Sequence, residues 1–280
     1  MSQSTANHVP NSTPLIRFDD VALGYGDFTV LEHIDITAYR GQVIAMMGGS
    51  GSGKTTLLRG ATGQILPQAG KITVFDTDLA QCSHRELEQL RKRMGVLFQQ
   101  GALFTDLNVF ENVAFPLREH SQLSQAEITR KVLEKLDAVG LRAAAHLQIS
   151  EISGGMARRV ALARAIVLEP ELIFYDEPFA GLDPISLGIT AQLIRDLSDE
   201  LDCASIIITH DVPESFKIAD YVYIVGQGKM ITAGTPAQLE QAEDDFVQQF
   251  LQGLPDGPIA FNYPVTPAFE AWLEHISKHP

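Results

Sequence analysis

Residues 43–62, VIAMMGGSGSGKTTLLRGAT, constrain the fold of this chain more than any other stretch. Val43–Met47 is a short unbroken apolar run, the pattern of a strand buried on both faces in a parallel sheet. Gly48-x-x-x-x-Gly53-Lys54-Thr55 follows, and then a helix-like segment. Strand, glycine loop and helix in that order are the context of a phosphate-binding loop. The glycines let the backbone bend so that several N–H groups point at one anion. The helix N-terminus adds partial positive charge. The expected cradle is Gly48, Gly49, Ser50, Gly51, Ser52, Gly53, Lys54, Thr55 and Thr56. Lys54 would reach the β- and γ-phosphates of a nucleotide, and the Thr55 hydroxyl would ligate Mg²⁺. A merely flexible glycine turn would not need a lysine and a threonine at these offsets.

The other numbers bound what such a loop can serve. At 280 residues the chain forms one large domain or two modest ones. Its net charge of −14 argues against a nucleic-acid backbone as partner, since that contact is made by lysine and arginine. ATP needs only a local site and is not excluded. The two cysteines, Cys82 and Cys203, belong to no metal or redox spacing and read as free thiols in a reducing compartment. Apart from His210, the histidines show no ligand spacing, so no zinc or iron site is expected. No apolar run is long enough to cross a bilayer. The polar start, MSQSTANHVPNSTP, lacks the apolar centre of a signal peptide. The expectation is a cytoplasmic protein whose membrane role comes through a partner.

Along the chain, residues 1–14 read as a disordered tail. Segments 15–18 and 34–37 read as strands, with Gly24-Tyr25-Gly26 in a turn between them. An aromatic on a turn can stack on a purine, although by itself it is more often a packing residue. Segment 71–75 reads as a strand. Segment 84–93 reads as a helix whose closing Arg91-Lys92-Arg93 suits the negative end of its dipole. Segment 95–98 is a strand ending at Gln99. The stretch GALFTDLNVFENVAFPL carries Leu103, Phe104, Leu107, Val109, Phe110, Val113 and Phe115. It is core if buried, and a docking groove if exposed. Ser124 and Glu127 are spaced as a capping box for a helix with Ile128, Val132, Leu136 and Val139 on one face, stopping at Gly140. Residues of about 101–162 are therefore expected to form a helical subdomain inserted into a sheet-based core.

Ser153 reads as the N-cap of a helix that Glu169-Pro170 ends. Segment 172–175 is a strand followed by Asp176-Glu177. Two carboxylates at the end of a buried strand are costly unless they serve a metal or catalysis. Asp176 fits a Mg²⁺-holding aspartate, and Glu177 is placed to activate a water against the γ-phosphate. Pro184–Leu201 reads as a helix and 205–209 as a strand with His210 at its end. Segments 221–225 and 229–233 read as a hairpin, and 236–252 as a closing helical pair. Four segments thus present polar groups at the same kind of position: the glycine loop, Gln99, Asp176-Glu177 and His210. Residues 253–280 form a C-terminal extension. In it Thr266-Pro267 resembles an N-cap with proline at the first helical position. Phe269, Trp272, Leu273 and Ile276 form an apolar stripe on a helix of about three turns. Such a helix is marginal alone and docks on its own domain or on a neighbouring subunit.

Over about residues 15–250 this set resembles the ATPase subunits of ABC transporters. The matching motifs are Walker A (48–55), Q-loop Gln99, signature 152–156, Walker B (172–176) with Glu177, D-loop Gly181-Leu182-Asp183 and H-loop His210. The resemblance implies an α/β P-loop NTPase with a RecA-like mixed sheet, an antiparallel β subdomain and an inserted helical subdomain. It implies Tyr25 on the adenine, Mg²⁺ held by Thr55, Gln99 and Asp176, and catalysis by Glu177, His210 and Lys54. Two copies would sandwich two ATP molecules, with Ser153, Gly154 and Gly155 of one copy facing the phosphates of the other and Asp183 coupling the sites. The signature departs from LSGGQ, with Ile152 first and Met156 fifth.

The segments RKRMGVLFQQGALFTDLNVFENVAFPLREH, SGGMARR and FLQGLPDGPIAFNYP are similar, more narrowly, to the ATPases of Mla-type phospholipid transport systems. This implies a subunit on the cytoplasmic face of the inner membrane, bound to an MlaE-like permease with MlaD-like and MlaB-like (STAS) partners. Such a complex moves phospholipid to or from a periplasmic carrier and maintains outer-membrane lipid asymmetry. Two other readings stand beside it: the ATPase of a different ABC importer, and a non-transport ABC protein acting on ribosomes or DNA. The tail and SGGMARR speak against the first. The acidic single cassette, without a long coiled coil, speaks against the second.

Overall fold

The structure is a computed structural model that describes residues 13–259 and 265–278. The expected disordered tail, apart from Thr13 and Pro14, therefore lies outside the described residues, as do Phe261, Tyr263 and Pro264 of the extension. The chain divides into two compact units, Met1–Ala237 and Gln238–Pro280.

Ten strands of the first unit form one sheet. They are β1 (Ile16–Tyr25), β2 (Phe28–Ala38), β3 (Val43–Met47), β4 (Ala69–Val74), β5 (Thr77–Asp78), β6 (Met94–Leu97), β7 (Leu172–Asp176), β8 (Ala204–Thr209), β9 (Tyr221–Gly226) and β10 (Lys229–Gly234). Their order is β5-β4-β1-β2-β10-β9-β3-β8-β7-β6. The β5-β4-β1-β2 part is antiparallel, and β9, β3, β8, β7 and β6 run parallel. The side chains explain the division. All of β3 and all of β8 are buried, as a parallel strand covered on both faces requires. β1 begins by alternating, with Ile16 and Phe18 buried and Arg17 exposed, which suits an antiparallel strand with one wet face.

One local expectation changes. Gly24 and Tyr25 belong to β1, not to a turn: they pair with Thr29 and Phe28. The turn is Gly26-Asp27, with Gly26 at φ +56°. A two-residue hairpin needs a left-handed residue inside the loop, and the glycine supplies it.

Helices cover the sheet. α1 (Lys54–Ala61) follows β3, and α2 (His84–Lys92) precedes β6. The crossover from β6 to β7 holds α3 (Val109–His120), α4 (Gln125–Ala138) and α5 (Gly154–Ile166), whose apolar faces share one core with Val113, Leu117, Val132, Leu136, Val160 and Ile166. α4 starts in the expected capping box. The Ser124 hydroxyl accepts from the Glu127 N–H at 3.4 Å, and the Glu127 carboxylate accepts from the Ser124 N–H at 2.7 Å. α6 (Pro184–Leu201) and α7 (Val212–Ile218) complete the unit. Within the apolar stretch, Val109 and Val113 are fully buried while Phe104 and Phe115 stay exposed, so the same segment supplies both core and surface.

α8 (Pro236–Glu240) spans the division between the units. The second unit continues with α9 (Asp245–Gln252) and α10 (Pro267–Lys278). Asp244 caps α9 through the N–H groups of Phe246 and Val247. Thr266 caps α10, accepting from the Phe269 N–H at 3.2 Å. Among the described residues no helix is long and apolar enough to cross a membrane.

Candidate functional site

The parallel strands bring the polar segments together. Met47 is level with Thr209, Asp176 with Ile208 and Leu97 with Tyr175. Gly48, His210 and Glu177 therefore leave three neighbouring strands at one edge of the sheet, and Gln99 leaves the fourth two residues beyond its end. The carboxyl ends of parallel strands are where α/β sheets place ligands.

The glycine loop is shaped as an anion cradle. Gly51 and Gly53 have φ of +76° and +97°, and a Cβ on Gly53 would lie 2.7 Å from the Leu31 side chain. A Cβ on Gly48 would lie 2.3 Å from the Val225 carbonyl. Among the described residues, the N–H groups of Gly51, Gly53, Lys54, Thr55 and Thr56 meet no protein acceptor. The buried Ser52 hydroxyl is likewise without a partner. The Lys54 ammonium is buried and donates to the carbonyls of Gly48 and Gly49 at 2.7 and 2.9 Å. Burial pulls its pKa below the ordinary lysine value, against the opposing pull of Glu177 and Asp176. Unpaired donors around one cation, at the start of a helix, fit a polyphosphate.

The carboxylates stand beside this loop. Burial raises the pKa of Asp176, Glu177 raises it further, and Lys54 opposes both. Two adjacent acids beside a buried ammonium suit a divalent cation, for which Asp176, Thr55 and Gln99 would offer oxygen ligands. The side chains of Thr55 and Gln99 are exposed. Glu177 is held on several sides. Its N–H donates to the Ile208 carbonyl at 2.8 Å. Its carboxylate accepts from the Thr209 hydroxyl at 3.2 Å and meets His210 Nδ1 at 3.1 Å. Its φ is +48°, a left-handed conformation that a glutamate adopts only where its surroundings enforce it.

Tyr25, 43% exposed, reaches α1. Its hydroxyl accepts from Arg59 at 2.9 Å. The Thr56 hydroxyl, and then the Arg59 guanidinium, hold its phenol below the usual pKa.

Ser153, Gly154 and Gly155 lie elsewhere. Among the described residues no hydrogen bond or ion pair joins residues 153–156 to residues 48–56. Ser153 caps α5 by accepting from the Met156 N–H at 3.2 Å, and Ser153 and Gly154 are exposed. Ile152 and Met156 pack against the helical core, which accounts for apolar residues at the two places where the signature departs from LSGGQ. Asp183 caps α6, accepting from the N–H groups of Ile185 and Ser186 at 3.0 and 3.1 Å. Bonding to Ser186 lowers its pKa.

Sequence reasoning missed two residues. Thr209 bonds the Glu177 carboxylate, and Arg158 donates to the carbonyls of Glu177 and Ala180 at 3.1 and 2.9 Å. Thr209 could have been found from its place beside His210 at the strand end. Arg158 has no local signal.

A curled mixed sheet carrying this loop and these strand-end groups is the fold of an ATP-binding cassette. The chain matches the ABC transporter family over residues 31–180 and belongs to it; it is an ATP-binding, ATP-hydrolysing subunit. More particularly, it is 51% identical over 250 residues to the intermembrane phospholipid transport system ATP-binding protein MlaF of Haemophilus influenzae, covering 89% of this chain and 95% of that one. It is 48% identical over 264 residues to the MlaF of Escherichia coli K12, covering 94% and 96%. Among solved structures it is similar to the dimeric cassette MJ0796 bound to ADP and Pi in a post-hydrolysis state. There the TM-score is 0.71 at 26% identity, covering 79% of this chain and 98% of that one.

Proposed function

We propose that this chain drives an intermembrane phospholipid transport system, hydrolysing ATP at the cytoplasmic face of the inner membrane to maintain outer-membrane lipid asymmetry. The phospholipid assignment is supported by the names of its relatives, which match along nearly their whole length. The hydrolytic assignment is carried by one observation: the Glu177 carboxylate, fixed by Thr209 and His210, stands at the strand edge beside the Lys54 loop.

In this reading the loop N–H groups and Lys54 hold the β- and γ-phosphates, and Tyr25 stacks on the adenine. Thr55, Asp176 and Gln99 hold Mg²⁺, which when bound neutralises charge on the phosphate oxygens. Glu177 orients and deprotonates the attacking water. His210, bonded to Glu177, contacts the γ-phosphate and fixes the geometry. Two copies form a two-fold dimer. The exposed N-terminus of α5, with Ser153, Gly154 and Gly155, points its positive end at the nucleotide of the other copy. A half-site lacks that donor, so hydrolysis requires both copies. Asp183, at the start of α6, couples the two sites.

Partners bind through two apolar surfaces. A cleft of about 630 Å³ is lined by Phe98, Phe104, Phe115, Pro116 and Arg164. The rings of Phe104 and Phe115 lie 4.8 Å apart, and the Arg164 guanidinium is 5.7 Å from Phe104. This cleft receives a helix of the MlaE-like permease, whose MlaD-like and MlaB-like companions complete the assembly. The exposed stripe of Phe269, Trp272, Leu273 and Ile276 on α10 packs on the second ATPase copy.

Two experiments test the reading. Glu177→Gln should retain ATP and lose turnover by about 10²–10⁴-fold, the range of a general base; undiminished turnover removes Glu177 from the chemistry. Purification from membranes should recover a permease together with phospholipid. Recovery of a different transporter instead, or of ribosomes, would overturn the assignment.

A further inference from the structure

Arg158 lies in the second turn of α5, five residues after Ser153. It is half-buried, and among the described residues its partners are carbonyls, not carboxylates: Nη1 on Glu177 and Nη2 on Ala180. Burial depresses its pKa, so the guanidinium sits in this crevice at a desolvation cost. A planar guanidinium reaches the two carbonyls from two separate nitrogens at a fixed spacing, whereas a lysine would have to serve both from one nitrogen on a flexible stem.

What it holds is unusual. Glu177 has a left-handed backbone, and its N–H is already committed to Ile208. The Arg158 bond to its carbonyl fixes the other side of the same residue. The bond to Ala180 extends the grip along the loop that leads to Asp183 and α6. Further along α5, Val160, Leu162, Ala163 and Ile166 are buried in the helical core, so the helix transmits displacement as a rigid rod. Among the described residues, Arg158 is the side chain that hydrogen-bonds this helix to the Glu177 backbone.

We propose that Arg158 is a positioning residue linking the two nucleotide sites: it ties the helix that begins at Ser153 to the backbone of Glu177. Seating of that helix on the partner's nucleotide then sets the carboxylate serving the chain's own nucleotide. The proposal rests on the two-copy reading above. It predicts that the sites fire in concert, because the group that completes one site also aligns the base of the other.

The test uses the full-length protein with Arg158→Ala, Arg158→Lys and Arg158→Gln. Hydrolysis is measured against ATP concentration, and binding of a fluorescent ATP analogue is measured in the same variants. Arg158→Ala should lower kcat by roughly 10- to 100-fold, the scale of a catalytic group displaced by about an ångström. Affinity should stay within about twofold, since none of the cradle is touched. The Hill coefficient, above unity in the parent, should fall to unity. Arg158→Lys keeps the charge and should behave like the alanine variant. If Arg158→Ala fails to fold, Arg158→Gln, which can reach one carbonyl, carries the same readouts.

An unchanged kcat overturns the proposal, and so does an Arg158→Lys variant with parental rate and cooperativity. A lowered kcat with cooperativity intact, or a parent Hill coefficient of unity, overturns the coupling. Failure of the two-copy reading looks different: the parent would hydrolyse ATP at its full rate at concentrations where analytical ultracentrifugation shows monomer alone.

Discussion

Thr209→Val is the sharpest test of how the catalytic carboxylate is held. The substitution is close to isosteric, at a fully buried strand end, so packing is nearly preserved. It removes two hydrogen bonds. One is donated by the Thr209 hydroxyl to the Glu177 carboxylate at 3.2 Å; the other is accepted from the Asp211 N–H at 3.0 Å. Stranding the Asp211 N–H costs about 1–2 kcal/mol of stability. For a unit of this size that lowers Tm by about 2–8 °C. The catalytic effect comes from the first bond. Among the described residues the Glu177 carboxylate is left with His210 as its only hydrogen-bond partner, and losing about 1.4 kcal/mol of alignment slows turnover about tenfold. Steady-state hydrolysis should therefore show kcat down about tenfold with KM for ATP unchanged, because the loss falls on the transition state alone. Thr209→Ser keeps the hydroxyl and should restore kcat. If Thr209→Val lowers Tm but leaves kcat within about twofold of the parent, the hydroxyl serves the fold only, and the orientation argument is wrong.

Other consequences can be checked in the same preparations. Ser153→Arg should abolish hydrolysis while sparing binding of a fluorescent ATP analogue; normal hydrolysis would argue against the sandwich. Truncation after Gln252 removes the exposed α10 stripe and should weaken dimerisation in analytical ultracentrifugation, whereas an unchanged dimer constant rules out α10 as a contact between copies. Asn112 is fully buried and bonds both the N–H and the carbonyl of Phe104. Asn112→Ala should therefore cost about 2–3 kcal/mol and loosen the cleft wall, seen as faster hydrogen exchange at 104–108. The Arg93 hydrogen bond, and then Arg40, hold the Glu171 carboxyl below its usual pKa. A depressed folded-state pKa stabilises above the unfolded value near 4.3 and is lost as pH falls through the folded value. Glu171→Gln should thus cost about 1 kcal/mol at pH 7, discounted for its partly exposed partners. The cost should start to shrink in urea melts as pH falls below the unfolded value of about 4.3 and disappear only below the depressed folded value, and a cost that does not change with pH would refute the pairing.

What the sequence determined by itself was local or periodic. The glycine loop needs only consecutive backbone conformations and a helix start, so Gly48 to Thr56 could be read directly. Apolar runs identified β3 and the body of β7, because burial on both faces leaves that pattern. Ser124 with Glu127, and Thr266 with Pro267, announced helix starts because a cap is made within three or four residues. The tertiary structure decided everything that depends on which strand lies beside which, and in what register. Met47 opposite Thr209 and Asp176 opposite Ile208 bring the site to one edge, and no spacing along the chain encodes those pairings. The same register places the Thr209 hydroxyl on a carboxylate 32 residues away, and helix packing lays Arg158 across the loop after β7. It also decided that Phe104 and Phe115 face outward while Val109 and Val113 face the core. The reason is physical: local steric preference and hydrophobic period act over a few residues, whereas a side chain's partner across a sheet is chosen by the packing of the whole.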